Sequence, residues 1–426
     1  MPQRLSAIEL IAVARYHSPP PLSLLIAMSD PFVLISGAGP VGLVLAWRLT
    51  LAGLSVRVLE REPCLVPMLR SSTFHPPTLD LLDECGIATA LHAAGRVTPT
   101  WQIRLHETGE RAEFDLAAIA DATRHPWRLQ CDQAVLVNTL EAWLHEHAPG
   151  SVVRGATVSS VGAGSDRVSL GWVDSAGHAH TQCADFVVGC DGARSAVRDA
   201  IGARFEGTLY PEITVLVTTT FPFEEHLDGL SGINYVWAPD GTYSLLRLAD
   251  VWRVSLHPHA DESVDELMGP ERLWARLAMI TPAAAGAPIG EVRPYRVHQR
   301  LASHWVRGRV AIAGDAAHLN HPKGGMGMNG GIHDAFELAE SLIAAGQGAD
   351  WQSMLARYQA RRLPVMRDDV IGQADTNRAR MWEPSLAGRR KMLADLQALA
   401  ADPVRCRAHL LRTSMIDGLR RSRSLA

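Results

Sequence analysis

Three short stretches of this sequence carry residue types and spacings suited to chemistry, and all three are built on glycine and acid. The first is Gly37-Ala-Gly39-Pro-Val-Gly42, with Glu60 standing 23 residues beyond Gly37. In such a turn the first glycine permits a tight reversal, the second lets backbone approach a pyrophosphate, and the third allows close helix packing. Free N–H groups and a partial positive charge at the following helix start favour that anion. A carboxylate about 20 residues on accepts hydrogen bonds from an adenosine ribose. The elements needed to hold these residues are present: a β-like run Phe32–Ser36, a helical pattern Leu43–Ala52, and a second β-like run Ser55–Leu59 ending at Glu60. The pattern specifies a dinucleotide site and leaves NAD and FAD both open.

The second stretch runs Gly308-Arg-Val-Ala-Ile-Ala-Gly314-Asp315-Ala-Ala-His318 and on through Pro322-Lys323-Gly324-Gly325-Met-Gly327-Met328-Asn329. It reads as a buried strand ending in Gly-Asp, a glycine-rich turn, and a helix opening near Gly327. Asp315 can accept hydrogen bonds from a polyhydroxy chain, and the helix start directs positive potential over the turn. The third stretch is Asp185-Phe-Val-Val-Gly-Cys-Asp191-Gly192-Ala-Arg194-Ser195. The second resembles the ribityl-binding GD motif of group A flavoprotein monooxygenases, the para-hydroxybenzoate hydroxylase-like aromatic hydroxylases, and the third resembles their DG motif.

That resemblance implies FAD held by Gly37, Gly39, Gly42 and Glu60 at its adenosine and pyrophosphate end, and by Arg70, Gln133 and Asp315 along its middle. It places Asp191 in contacts with both FAD and NAD(P)H, and Pro322 with the following glycines at the isoalloxazine. Backbone amides of Gly327, Met328 and Asn329 could stabilise negative charge on the reduced flavin. The implied reaction consumes NADH or NADPH and O2 and hydroxylates a small aromatic substrate, a phenol, hydroxypyridine or aromatic carboxylate, through a C4a-hydroperoxyflavin in a dry pocket. The rivals are an FAD-dependent reductase or oxidase on the same scaffold and a non-catalytic flavin-binding protein.

A substrate pocket needs walls, and strand-like runs at Ile213–Thr220, Ile233–Trp237, Tyr243–Leu248 and Trp252–Leu256 predict a second sheet. Period two puts Tyr235 and Trp237 on one face as candidate pocket aromatics, with Tyr295, Arg247 and Pro322 as further lining candidates. Lys323, one of only two lysines in the chain with Lys391, could meet a substrate anion, although a solvent-facing turn residue is the favoured reading. His318 is expected to be structural, and His298, His321 and His333 are weaker acid/base candidates.

Composition bounds the rest. The 426 residues carry 41 Lys+Arg against 45 Asp+Glu, a net charge of −4, which does not favour nucleic-acid binding. No run of 18 apolar residues suggests a spanning helix, and six scattered cysteines suggest neither disulfides, zinc nor any other metal site. A cytoplasmic monomer or homodimer is expected. The fold expected is α/β, a Rossmann-like FAD-binding domain with an inserted mixed β-sheet substrate domain and a helical C-terminal tail. Its FAD-binding domain is discontinuous, over 31–105, 125–205 and 295–345; the sheet region spans 106–124 and 206–294, and the helical region 346–426. Residues 1–30 read as a disordered extension, with Met28 as the natural start. The arginine pairs Arg361-Arg362 and Arg389-Arg390 read as solvated helix faces and the ending from Arg420 as frayed.

Overall fold

A computed structural model describes residues 30–65, 70–83, 86–164, 166–259 and 262–425. Apart from Asp30, the expected N-terminal extension and the Met28 start lie outside the described residues. Val33–Ser36 is buried at all four positions, as an apolar run in the middle of a parallel sheet must be. It pairs in parallel with Val56–Glu60 on one side and Phe186–Gly189 on the other. Val152–Arg154, Val310–Ile312 and Val306–Arg307 complete a six-stranded sheet, so one sheet collects strands from the start, middle and last third of the chain.

The helix Pro40–Leu51 begins at the first glycine turn, with Pro40 at its first position, where the missing N–H costs nothing. It packs on the long helix Gly327–Gly346, which is buried over most of its surface. Gly331 is the contact that makes this possible: a Cβ there would lie 2.7 Å from Val41 Cγ2.

The second sheet has eight strands, in the order His318–Leu319, Val292–Ala302, Phe205–Thr219, Trp252–Leu256, Gly241–Arg247, Ile233–Ala238, Thr100–Leu105 and Arg111–Asp115. It draws in Thr100–Leu105 and the whole of Val292–Ala302, across the boundaries expected at 105 and 295. The ladder between its two longest strands slips between Leu209 and Ile213, where Pro211 has no N–H to donate. Alternation divides the sheet's faces. Val215, Val217, Val254, Leu256 and Leu245 pack with Leu273 and Leu277 of the helix Pro270–Ile280. The opposite face is covered at one end by the helices Leu386–Ala401 and Pro403–Thr413 and elsewhere faces, across a cleft, the Arg70–Thr73 segment and the stretch from Asp315 to Met328.

The C-terminal region corrects two expectations. Arg362 is buried and bonds Asp334, Arg361 bonds Glu337, and Arg389 donates to the carbonyl oxygens of Glu383 and Ala238. Ile416–Ser424 is a helix, anchored by Arg421 on Asp368 and Asp369. Among the described residues no helix is long and apolar enough to cross a membrane.

Candidate active site

The two outer glycines of the first turn are required by backbone packing. Gly37 has φ +102°, and a Cβ there would lie 2.4 Å from the Cys190 carbonyl oxygen; one on Gly42 would lie 2.0 Å from the Gly37 carbonyl oxygen. Gly39 differs. A Cβ there would meet nothing within 4 Å, and no side chain caps the helix it opens. This leaves bare N–H groups beside open space, the arrangement a pyrophosphate needs. Glu60 is fixed next to it, Oε2 accepting from Ala38 N–H at 2.7 Å and Oε1 from Glu62 N–H at 2.9 Å, with lone pairs left for a diol.

The Gly-Asp turn is held from behind by a buried ionic group. Asp334 accepts from His318 Nε2 at 2.6 Å, Arg362 Nε at 2.8 Å and Gly314 N–H at 3.2 Å. His318 is therefore structural. Asp315 itself is exposed and turns into the cleft; desolvation by the enclosing walls raises its carboxyl above the usual range, with His318 and Arg70 opposing. Asn329 is wholly buried and ties the glycine loop down: Nδ2 donates to the carbonyl oxygens of Thr73 and Gly325, and Oδ1 accepts from His75 N–H. Its side chain is thus a brace, leaving backbone amides as the groups the helix start can offer. Gly327, Met328 and Pro322 line the cleft.

Arg70 reaches the cleft, and its carbonyl oxygen accepts from Arg253 Nη1 at 2.6 Å. Gln133 stands behind it, accepting from Ser71 N–H at 3.3 Å, outside the lining. Asp191 is also outside, its carboxylate accepting from the N–H groups of Ala196 and Val197 at a helix start.

The cleft under the second sheet has a volume of about 440 Å³. One cross-strand row forms part of its wall: Tyr235 pairs with Ser244, Ser244 with Ser255, Ser255 with Leu216, and Leu216 with Arg293. Thr214 and Tyr295 make a neighbouring pair. Arg253 and His257 lie on the same strand face as Ser255 and also line the cleft. Burial lowers His257 to about 3, helped by Lys323, so its ring is neutral at physiological pH.

Among the predicted pocket residues, Tyr235 and Tyr295 do line the cleft. Trp237 shares Tyr235's face but is buried under the C-terminal helices, its Nε1 donating to the Arg380 carbonyl oxygen at 3.2 Å. Arg247 points away, 3.3 Å from Glu224 and stacked over Trp252. Lys323 is no solvated turn residue: it lines the cleft, and burial, helped by Arg378 and opposed by Glu212, lowers it to about 8. His321 is buried, its ring accepting from Lys323 N–H, and His333 bonds Thr78. Ser244, Arg253, Ser255, His257 and Arg293 escaped the sequence reading. Period two in Trp252–Leu256 was a usable signal, since it sets Arg253 and Ser255 opposite three apolar neighbours.

A glycine cradle, a cleft-facing aspartate at a strand end and a second sheet over the cleft are the parts of a dinucleotide-binding enzyme that holds its substrate against that sheet. The chain belongs to the FAD binding domain family, whose profile matches residues 31–371. It is 32% identical over 393 residues to para-nitrophenol 4-monooxygenase of Pseudomonas sp. (strain WBC-3), covering 91% of this chain and 96% of that one. It is 30% identical to 6-hydroxy-3-succinoylpyridine 3-monooxygenase of Pseudomonas putida (strain DSM 28022 / S16), covering 81% and 87%. The crystal structure of p-nitrophenol 4-monooxygenase from Pseudomonas putida DLL-E4 superposes with a TM-score of 0.85 at 32% identity, covering 92% of this chain and 98% of that one. The protein is an FAD-dependent aromatic monooxygenase.

Proposed function

We propose that this enzyme hydroxylates a phenol that binds as an anion, either a phenolate or a ring bearing an acidic substituent. The carrying observation is the charge of the cleft: Arg70, Arg253, Arg293 and Lys323 line it against the single carboxylate of Asp315. Phenolic and hydroxypyridine substrates in the names of the two relatives support the same class.

Gly37, Gly39, Gly42 and Glu60 would hold the adenosine and pyrophosphate end of FAD, with Arg70 and Asp315 along its middle and Gln133 bracing the Arg70 loop. Pro322 and the amides of Gly327 and Met328 would face its ring, with Asn329 bracing them. Asp191 would act through the helix start it caps. Bound FAD would supply the redox chemistry, with NADH or NADPH as the two-electron reductant, one oxygen atom of O2 entering the substrate ring and the other leaving as water. The chain's own residues orient the substrate between Tyr235, Tyr295 and Lys323, and the two sheets exclude water. Six-stranded pairing of segments from Val33 to Ile312 supports one discontinuous FAD domain around the substrate sheet, near the expected boundaries. Free cysteines at 64, 131, 183, 190 and 406 support a reducing, cytoplasmic setting; monomer and homodimer both suit the architecture.

Lys323 makes this testable. Its ammonium is charged below about pH 8 and neutral above it. With a carboxylate-bearing phenol, ionised throughout the range, kcat/KM is expected to fall as pH rises through 8. Lys323→Met should flatten that limb and cost roughly tenfold below pH 8, about 1.4 kcal/mol of binding to the transition state. Neutral analogues of the same shape should react poorly with both proteins. Equal kcat/KM for anionic and neutral analogues, with no effect of Lys323→Met, would remove the anion reading. Flavin reduction without hydroxylated product would favour the reductase, and bound flavin without turnover the binding protein.

A further inference from the structure

Behind Tyr235 and Lys323, away from the main cleft, lies a second, smaller cavity lined by Trp101, Arg128 and Arg380 among others. Arg128 is 3% exposed, and its Nε has no hydrogen-bond partner; the Trp101 indole N–H is buried and equally unpartnered. The Arg128 guanidinium lies 5.2 Å from the centre of the Trp101 ring and meets the Tyr235 hydroxyl; among the described residues no carboxylate pairs with it. Arg380 adds a second guanidinium, with a further cation, Arg412, beside it and no ion pair to a carboxylate among the described residues. His409, buried against the Trp101 and Phe114 rings, is lowered to about 4 by burial and by Arg380, Arg412 and Arg128, so it stays neutral and adds no further cation.

Buried guanidinium without a counter-charge is costly. Other buried arginines of this molecule have acceptors, carboxylates for Arg362 and Arg276 and amide or carbonyl oxygens for Arg57, Arg104 and Arg389. The cavity has room for about 30 Å³ of water-sized bodies, enough for roughly two waters or one compact anion of about three heavy atoms. A planar carboxylate-like group matches the guanidinium fork, and the indole N–H supplies a further donor.

We propose that Arg128, Arg380 and the Trp101 indole form a binding site for a compact monovalent anion of formate or nitrate size, held behind the substrate wall. The same chemistry could be met by a free anion or by an acidic substituent reaching past Tyr235. Because Tyr235 and Lys323 wall both cavities, an occupant would fix the substrate-facing side of this partition. The site stands on its own geometry and does not depend on the phenol reading.

The test uses the FAD-loaded full chain, titrated with sodium formate at constant ionic strength against a bulky sulfonate too large for the cavity. Formate should raise Tm saturably and the sulfonate should not, with calorimetry giving the affinity. Arg128→Gln and Arg380→Gln should each weaken formate binding at least tenfold; Arg380, half-buried, is the variant expected to fold if Arg128→Gln does not. Repeating the titration with a saturating carboxylate-bearing phenol separates the sources: loss of formate binding means the substituent occupies the site, and unchanged binding means a free anion does. Equal responses to formate and sulfonate, or formate binding unaltered in Arg380→Gln, would overturn the proposal.

Discussion

Gly39→Asp is expected to give a fully folded protein that does not hold FAD. The three glycines of the first turn look equivalent in sequence, but their surroundings are not. Gly39 has φ −77° and ψ −179°, an extended conformation open to any residue, and a Cβ there meets nothing. Aspartate is among the best residues at a helix N-cap, so the substitution should leave the cofactor-free protein as stable as before or stabilise it by up to about 1 kcal/mol. The same carboxylate would stand where a pyrophosphate must sit and would occupy its N–H donors. FAD affinity should fall at least ~100-fold, about 2.7 kcal/mol, read by equilibrium dialysis. Gly42→Ala should do the reverse, because its Cβ collides with backbone at 2.0 Å and destabilises the fold by roughly 1–3 kcal/mol or more. Stoichiometric FAD in Gly39→Asp would show that the pyrophosphate lies elsewhere.

Arg362→Met should be the most destabilising single change among the ionic residues. Asp334, His318 and Arg362 form one fully buried group, and removing the guanidinium leaves the carboxylate with only His318 and the Gly314 N–H. Breaking such a pair costs about 3–5 kcal/mol, a large share of the 5–15 kcal/mol that holds a typical domain together. Urea unfolding of the FAD-free protein should show a lower midpoint with little change in slope. Burial alone would raise the Asp334 carboxyl, but Arg362 and His318 hold it below the usual range. Its contribution is therefore complete above the ordinary aspartate value of about 3.9 and lost as pH falls through the depressed folded value. In Arg362→Met that acid limb should begin at higher pH. A loss under about 1 kcal/mol would mean that the Gly-Asp turn is held by packing alone.

What could be read without coordinates followed from local physics. Gly37 and Gly42 were legible because a positive φ and a close backbone approach demand glycine wherever they occur. Strand runs such as Trp252–Leu256 were legible from alternation. Which face of that strand meets the cleft was not, because it depends on the helix Pro270–Ile280 covering the other side. Arg247, on the neighbouring strand Gly241–Arg247, was a lining candidate and Arg253 was not, because alternation alone does not say which face meets the cleft. Buried arginines failed differently. The acids that hold Arg361, Arg362 and Arg421 lie 24, 28 and 52 residues away, beyond any helical spacing, so a local reading sees only a charged helix. Lys323 was misread because turn residues are usually solvated, whereas this turn is folded against a second sheet.

The central claim, that one oxygen atom of O2 is delivered to an aromatic ring in the cleft, is tested most directly by isotope. The FAD-loaded enzyme is incubated with NADH or NADPH, an anionic phenol and 18O2, and the product mass is recorded. The predicted result is one 18O atom per product molecule, with consumption of nicotinamide and O2 stimulated by the phenol. Product lacking 18O, or nicotinamide oxidation that ignores every phenol and yields only hydrogen peroxide, would contradict it.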